Sequence, residues 1–163
     1  MYADNELFVN VKYKLVNKKG KMKIIIGSDH AGFNLKKNII EQLQKKNYTI
    51  LDKGTSSEAS VDYPDFAHLV AVEVANDQNN IGILICGSAN GVSIVANKHK
   101  MIRCALCWNV EIAELARKHN NANILALPAR FLTIDQAIEI TDIFLNTDFE
   151  AGRHLLRVNK IEC

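Results

Sequence analysis

The stretch IGILICGSANGVSIVANK, residues 81–98, runs from an apolar segment through a turn of small residues into a second apolar segment with helical spacing. A run as short and as uniformly apolar as IGILIC is a strand buried on both faces, which requires a parallel sheet covered by helices. Four other runs share that character: KIIIG at 23–27, YTILD at 48–52, RCALCW at 103–108 and NILALP at 123–128. Segments with helical periodicity separate them, so the chain alternates strand and helix. That alternation predicts an α/β fold with a five-stranded parallel sheet and crossover helices.

The helical segments carry their own signals. FNLKKNIIEQLQKKN sets Phe33, Leu35, Ile39, Ile40 and Leu43 near helical spacing, with its lysines and glutamines on the remaining surface. FAHLVAVEVAND is read as a helix from Phe66, following Pro64, with Asp62 or Asp65 serving its open N–H groups. GVSIVANKHK makes a short helix from near Gly91, and NVEIAELARKH another with Asn109 as its cap. TIDQAIEITDIFLNT opens with Thr133 three residues before Gln136, the spacing of a capping box. The tail FEAGRHLLRVNKIEC adds a basic, amphipathic helix that needs a surface to dock on. The main linker, KGTSSEASVDYPD at 53–65, is placed to line a site at the carboxyl edge of the sheet.

Composition narrows the function classes. At 163 residues and 48% hydrophobic, the chain has the material for one domain with a real core. Its net charge of +2 comes from 20 basic and 18 acidic side chains spread along the length, which is no nucleic-acid footprint. No apolar run approaches the ~20 residues that span a bilayer, and the first twenty residues lack the pattern of a secretory signal, so a soluble, cytoplasmic protein is expected. Met22 stands directly before the first strand, so residues 1–21 are read as an N-terminal extension and 22–163 as a single domain. Cys86, Cys104, Cys107 and Cys163 are not needed as staples in a chain of this size. Cys104 and Cys107 have C-x-x-C spacing, but they lie in a strand-like run with no second pair, so no metal is assigned to them.

Four sets of residues could carry chemistry. Asp29 and His30 follow the first strand, where they are either ligands at the sheet edge or a capping acid beside a surface histidine. Cys86 opens the GSANG turn, whose N–H groups and following helix would favour a thiolate; the plainer reading is a buried apolar residue. Arg130 lies beyond the fifth strand, and Arg153 with Arg157 shares a helical face suited to clamping an anion or facing solvent. His119, followed by Asn120 and Asn121, ends a helix and either points at substrate or sits exposed in the helix dipole. His68 and His99 are read as structural. The turn is neither a Walker loop nor G-x-G-x-x-G, which disfavours a nucleotide site.

Taken together, GSDHAGF (27–33), DYPDFA (62–67), ILICGSANGVSIVANK (83–98), ARKHNNANILALPAR (116–130) and GRHLLRV (152–158) resemble type B ribose-5-phosphate isomerase. The resemblance implies a Rossmann-like three-layer sandwich with an additional C-terminal helix. It also implies homodimers, sometimes paired into tetramers, whose active sites are shared between subunits. The implied reaction interconverts ribose 5-phosphate and ribulose 5-phosphate in the pentose phosphate pathway, without metal or organic cofactor. By resemblance Cys86 is the base, Ser88 with the N–H groups of Gly87, Ala89, Asn90 and Gly91 stabilises the enediolate, and Asp29, His30 and Asn120 hold the sugar. His119 aids ring opening, and Arg130, Arg153, His154 and Arg157 contact the phosphate.

Three positions depart from the family pattern: Ala89 and Pro128 stand where glycine is usual, and Asn121 where aspartate is commoner. Two other readings remain open at this point, a galactose-6-phosphate isomerase subunit and a non-catalytic module that binds sugar phosphates.

Overall fold

The computed structural model describes residues 22–161; the proposed extension over residues 1–21 and Cys163 lie outside the described residues. Five parallel strands form one sheet: β1 (Lys23–Ser28), β2 (Thr49–Asp52), β3 (Ile81–Cys86), β4 (Cys104–Leu106) and β5 (Ile124–Pro128). Their spatial order is β2-β1-β3-β5-β4. Six helices accompany them: α1 (Phe33–Lys45), α2 (Tyr63–Asn76), α3 (Asn90–Ala96), α4 (Val110–Asn120), α5 (Ile134–Asn146) and α6 (Gly152–Val158).

Strand alternation divides the core into two layers. Ile24, Ile26, Ile83, Ile85, Leu125 and Leu127 point to the face covered by α1, α4 and α5, where Leu35, Ile39, Leu43, Ile140 and Phe144 meet them. Ile25, Leu84, Ile124 and Ala126 point to the other face, against Val70 and Val74 of α2 and Val92 of α3. The result is the three-layer α/β sandwich read from the sequence, with α6 as the additional C-terminal helix.

The strand order fixes where a ligand can enter. From β1 the chain moves outward to β2 on one side, then returns to β3 on the other side of β1, so the direction of winding reverses between β1 and β3. Open α/β sheets bind ligands beyond the carboxyl ends of the strands at such a reversal. The register pairs Ser28 with Ile85, so the residues that follow these two strands are neighbours.

Local chemistry agrees with most expected boundaries. Asn109 caps α4 by accepting from the Ile112 N–H at 2.9 Å, and Thr133 with Gln136 forms the complete capping box of α5. α2 instead begins at Tyr63, three residues before the expected start, because Pro64 fits the first turn of a helix; the Asp62 side chain makes no capping bond there. Cys104 and Cys107 lie in opposite core layers, and burial pushes both thiols up to about 12. Among the described residues no helix is long and apolar enough to cross a membrane.

One lysine contradicts the expected solvent face of α1. Lys36 is 2% exposed, and its ammonium donates to Asp52 Oδ1 (2.8 Å), Asp52 Oδ2 (2.7 Å) and the Thr55 carbonyl (2.8 Å). Three N–H donors meet three acceptors, which is what burial of an ammonium requires. The ion pair also fastens the 53–62 loop to the end of β1, where the Thr55 N–H donates to the Ser28 carbonyl at 3.0 Å. Removing the anion should hurt more than removing the cation, because a buried charge would be stranded while Asp52 can turn to water. Asp52→Ala is expected to cost about 3 kcal/mol in urea unfolding and Lys36→Met about half as much; the reverse order would contradict this account.

Candidate active site

A cleft of about 330 Å³ lies beyond the ends of β1 and β3, lined by Asp29, His30, Cys86, Gly87, Ser88, Arg130, Ala31 and Phe131. Asp29 is only 4% exposed and organises its floor. Its Oδ1 accepts the Gly32 N–H at 3.1 Å, closing the single 3-10 turn from His30 to Gly32. That turn presses against β3 so closely that a Cβ on Gly32 would meet the Ile85 carbonyl oxygen at 2.6 Å. The other oxygen, Oδ2, accepts from the Cys86 thiol at 2.8 Å.

This bond reverses one expectation. The turn and the helix start were expected to favour a thiolate, yet the Cys86 thiol is pushed up to about 11. Burial is the largest cause, followed by the hydrogen bond to Asp29 and its negative charge; the N–H groups of Gly87 and Ala89 pull the other way and are outweighed. The raised pKa and the 2.8 Å bond together put the thiol proton between sulfur and carboxylate.

The 87–91 turn and its neighbours explain the rest of the rim. Ala89, in place of the usual glycine, has φ 61° and is fully buried. A left-handed alanine costs about 1 kcal/mol, and its methyl recovers about 0.8 kcal/mol by joining the core layer of Val92, so the substitution is tolerated. Pro128 is the last residue of β5, opposite Cys86, and the ladder to β3 continues past it, because the Ala129 N–H donates to the Cys86 carbonyl at 2.9 Å. The Arg130 guanidinium lies over Gly87, where an added Cβ would come within 3.2 Å of it. The Val61 N–H donates to His30 Nδ1 at 3.3 Å, so in neutral His30 the hydrogen sits on Nε2, leaving that nitrogen as a donor.

The remaining sequence candidates lie elsewhere in the same chain. α4 runs back from the carboxyl to the amino edge of the sheet, and β5 starts only four residues after its end. His119 is therefore displaced from Cys86 by roughly the length of β5, on the order of 15 Å. It stacks on His154, with ring centroids 4.2 Å apart and planes 8° from parallel. Glu150 faces both, with Oε2 3.9 Å from His119 Nε2 and 3.8 Å from His154 Nε2. Asn120 opens toward a second shallow cleft with Arg103 and Cys104, and Arg153 and Arg157 are exposed on α6. Asn121 ends α4 in a left-handed conformation, φ 47°, which asparagine accepts readily.

Comparison with known proteins follows this geometry. Residues 24–161 match the Ribose/Galactose Isomerase family. The chain belongs to that family. It is 42% identical over 139 residues to ribose-5-phosphate isomerase B of Escherichia coli, an alignment covering 85% of this chain and 93% of the relative. Its fold is similar to a ribose 5-phosphate isomerase from Thermotoga maritima, with a TM-score of 0.84 and 48% identity over 86% of this chain and 97% of the other. It is equally similar, at TM-score 0.84 and 47% identity, to ribose-5-phosphate isomerase B of Mycoplasma genitalium with bound ribulose-5-phosphate, covering 86% and 94% of the two chains.

Within this family member, sequence reasoning passed over Phe131, Val61, Lys36 and Glu150. Phe131 had a signal, a large apolar residue directly after a sheet-edge arginine, and it is 73% exposed on the cleft rim. Val61 acts through its backbone N–H, and Glu150 through a contact made only after folding, so neither carries a local signature. The electrostatics of Cys86 can be checked by alkylation. Asp29→Asn removes the anion that raises the thiol, so its pKa should fall and iodoacetamide labelling of Cys86 at pH 8, followed by mass spectrometry, should quicken several-fold. An unchanged or slower rate would show that burial alone sets the thiol.

Proposed function

We propose that the chain interconverts ribose 5-phosphate and ribulose 5-phosphate, with Cys86 as the base that moves a proton between C1 and C2. The observation that carries this reading is the thiol of Cys86 facing the Asp29 carboxylate inside the cleft. When the shared proton passes to Asp29, a thiolate is left beside the sugar. It takes the C2 hydrogen of the open-chain aldose and the electron pair moves onto the C1 carbonyl oxygen; the thiol then returns that proton to C1 while the C2 hydroxyl proton passes to the C1 oxygen, leaving the carbonyl at C2 of the ketose. Ser88 and the N–H groups of the 87–91 turn suit the role of holding the oxygen that becomes negative, where fixed donors lower the barrier more than mobile water does. Arg130 and the Nε2 donor of His30 suit the phosphate, whose binding energy holds the reacting carbons near sulfur.

Ring opening needs a further acid–base group, and His119 of the same chain is at the wrong edge of the sheet. A second copy supplies it. α6 buries none of its residues and exposes Leu155 and Leu156 beside Arg153 and Arg157, a surface suited to another subunit. We therefore assign a C₂ dimer in which His119, Asn120 and the α6 arginines of each subunit complete the cleft of the other, with His154 close to that set.

Two experiments test these roles. Cys86→Ala is expected to lose at least a factor of about 10³ in turnover of ribose 5-phosphate while remaining folded, and chelator should leave the unmodified chain active; retained turnover in the variant would reject the base. Mixing Cys86→Ala with His119→Ala should regenerate about a quarter of the unmodified activity, because half the dimers are mixed and each mixed dimer holds one intact site. No recovery after subunit exchange would place each site within a single chain.

A further inference from the structure

The contact among His119, Glu150 and His154 offers chemistry that isomerisation does not use. The Nε2–Oε2 separations of 3.9 and 3.8 Å are too long for hydrogen bonds. All three ligand atoms nevertheless lie within 4.8 Å of one another. Around a zinc ion, with bonds of about 2.0–2.1 Å to each ligand, neighbouring ligand atoms stand about 3.4 Å apart. Glu150 stands within about half an ångström of that spacing from each histidine, and an ion would also draw the two histidine nitrogens together, with the parallel imidazoles tilting until both lone pairs meet it.

The backbone sets this arrangement. The Glu150 N–H donates to the Lys118 carbonyl at 3.1 Å, tying the segment before α6 to the end of α4. Ala151 (φ 54°) and Gly152 (φ 49°) then reverse the chain, and the His154 N–H donates to the Ala151 carbonyl at 2.9 Å. The His154 side chain is 13% exposed, while those of His119 and Glu150 remain open at 37% and 50%, leaving room for water or another fourth ligand. Arg153 and Arg157 lie on the same short helix as His154. Those same arginines oppose a cation and Glu150 offsets only part of their charge, so the affinity should be moderate.

We propose that His119, Glu150 and His154 form a site for a borderline divalent transition metal such as zinc, and that its occupancy inhibits the enzyme by tying up the His119 imidazole. Two histidines and one carboxylate are a ligand set suited to zinc. The inhibitory half rests on the role given to His119 under Proposed function; the site itself does not.

The test is competition for zinc between the metal-stripped full-length chain and a chromogenic chelator, with turnover of ribose 5-phosphate followed in parallel. A single zinc ion per chain is expected, with affinity at least about tenfold weaker in Glu150→Gln and in His154→Gln and unchanged in Cys86→Ser. Binding that survives both ligand variants, or is lost in Cys86→Ser, would overturn the site. Zinc should lower turnover, chelator should restore it, and Glu150→Gln should need at least about tenfold more zinc for the same loss; full turnover with zinc bound would overturn the inhibition. Were the unmodified chain to turn over no sugar phosphate, the chelator competition would still decide the site, so the two readings fail separately.

Discussion

A carboxylate on the end of β1 and a thiol on the end of β3 meet across the one gap where the sheet changes its direction of winding. Everything in the cleft is arranged about that contact. Asp29 can reach Cys86 because β1 and β3 pair directly, with Ser28 opposite Ile85. It is held in place because its other oxygen closes the turn that lets Gly32 lie flat on β3. Insertion of another strand between these two would leave the thiol in the core layer, without its carboxylate partner.

The same topology explains why the sequence candidates fall into two groups at opposite edges of the sheet. In a parallel α/β sheet every strand-to-helix loop emerges at the carboxyl edge, and every helix delivers its last residues to the other. Asp29, His30, Cys86 and Arg130 all follow strands and converge. His119 and Asn120 end a helix and cannot join them, and α6 follows the end of α5 at that same far edge. A group at the amino edge can serve a carboxyl-edge cleft only from another molecule. Leu155 and Leu156 on α6 and Phe131 on the cleft rim are exposed in the single chain, the surface on which the proposed dimer rests.

What the sequence made legible follows from the range of the forces involved. The central strands β1, β3 and β5 announce themselves through apolar runs and the edge strands β2 and β4 more weakly, while the caps at Asn109 and Thr133 show through a spacing of three residues, because both signals depend on near neighbours along the chain. Lys36 breaks the pattern since its burial is decided by Asp52 and Thr55, 16 and 19 residues away. The His30 tautomer depends on a backbone N–H from residue 61, which no side-chain pattern encodes. The thiolate expected from the turn failed for a related reason. The favourable N–H groups are local and visible, while the opposing carboxylate comes from position 29 and the opposing burial from the whole sheet.

That failure bears on how such a base can work. With its thiol pushed up to about 11 by burial and by Asp29, Cys86 in the proposed role of base has little standing thiolate to draw on. A proton already in line with a carboxylate oxygen need not be lost to water; it can shift to Asp29 as the sugar carbon gives up its own. The raised pKa keeps the sulfur protonated until Asp29 accepts its proton. It also protects the resting enzyme, since oxidants and alkylating agents attack the thiolate and pass over the thiol. In the mechanism proposed above, the carboxylate that suppresses ionisation of Cys86 is also the group that takes up its proton.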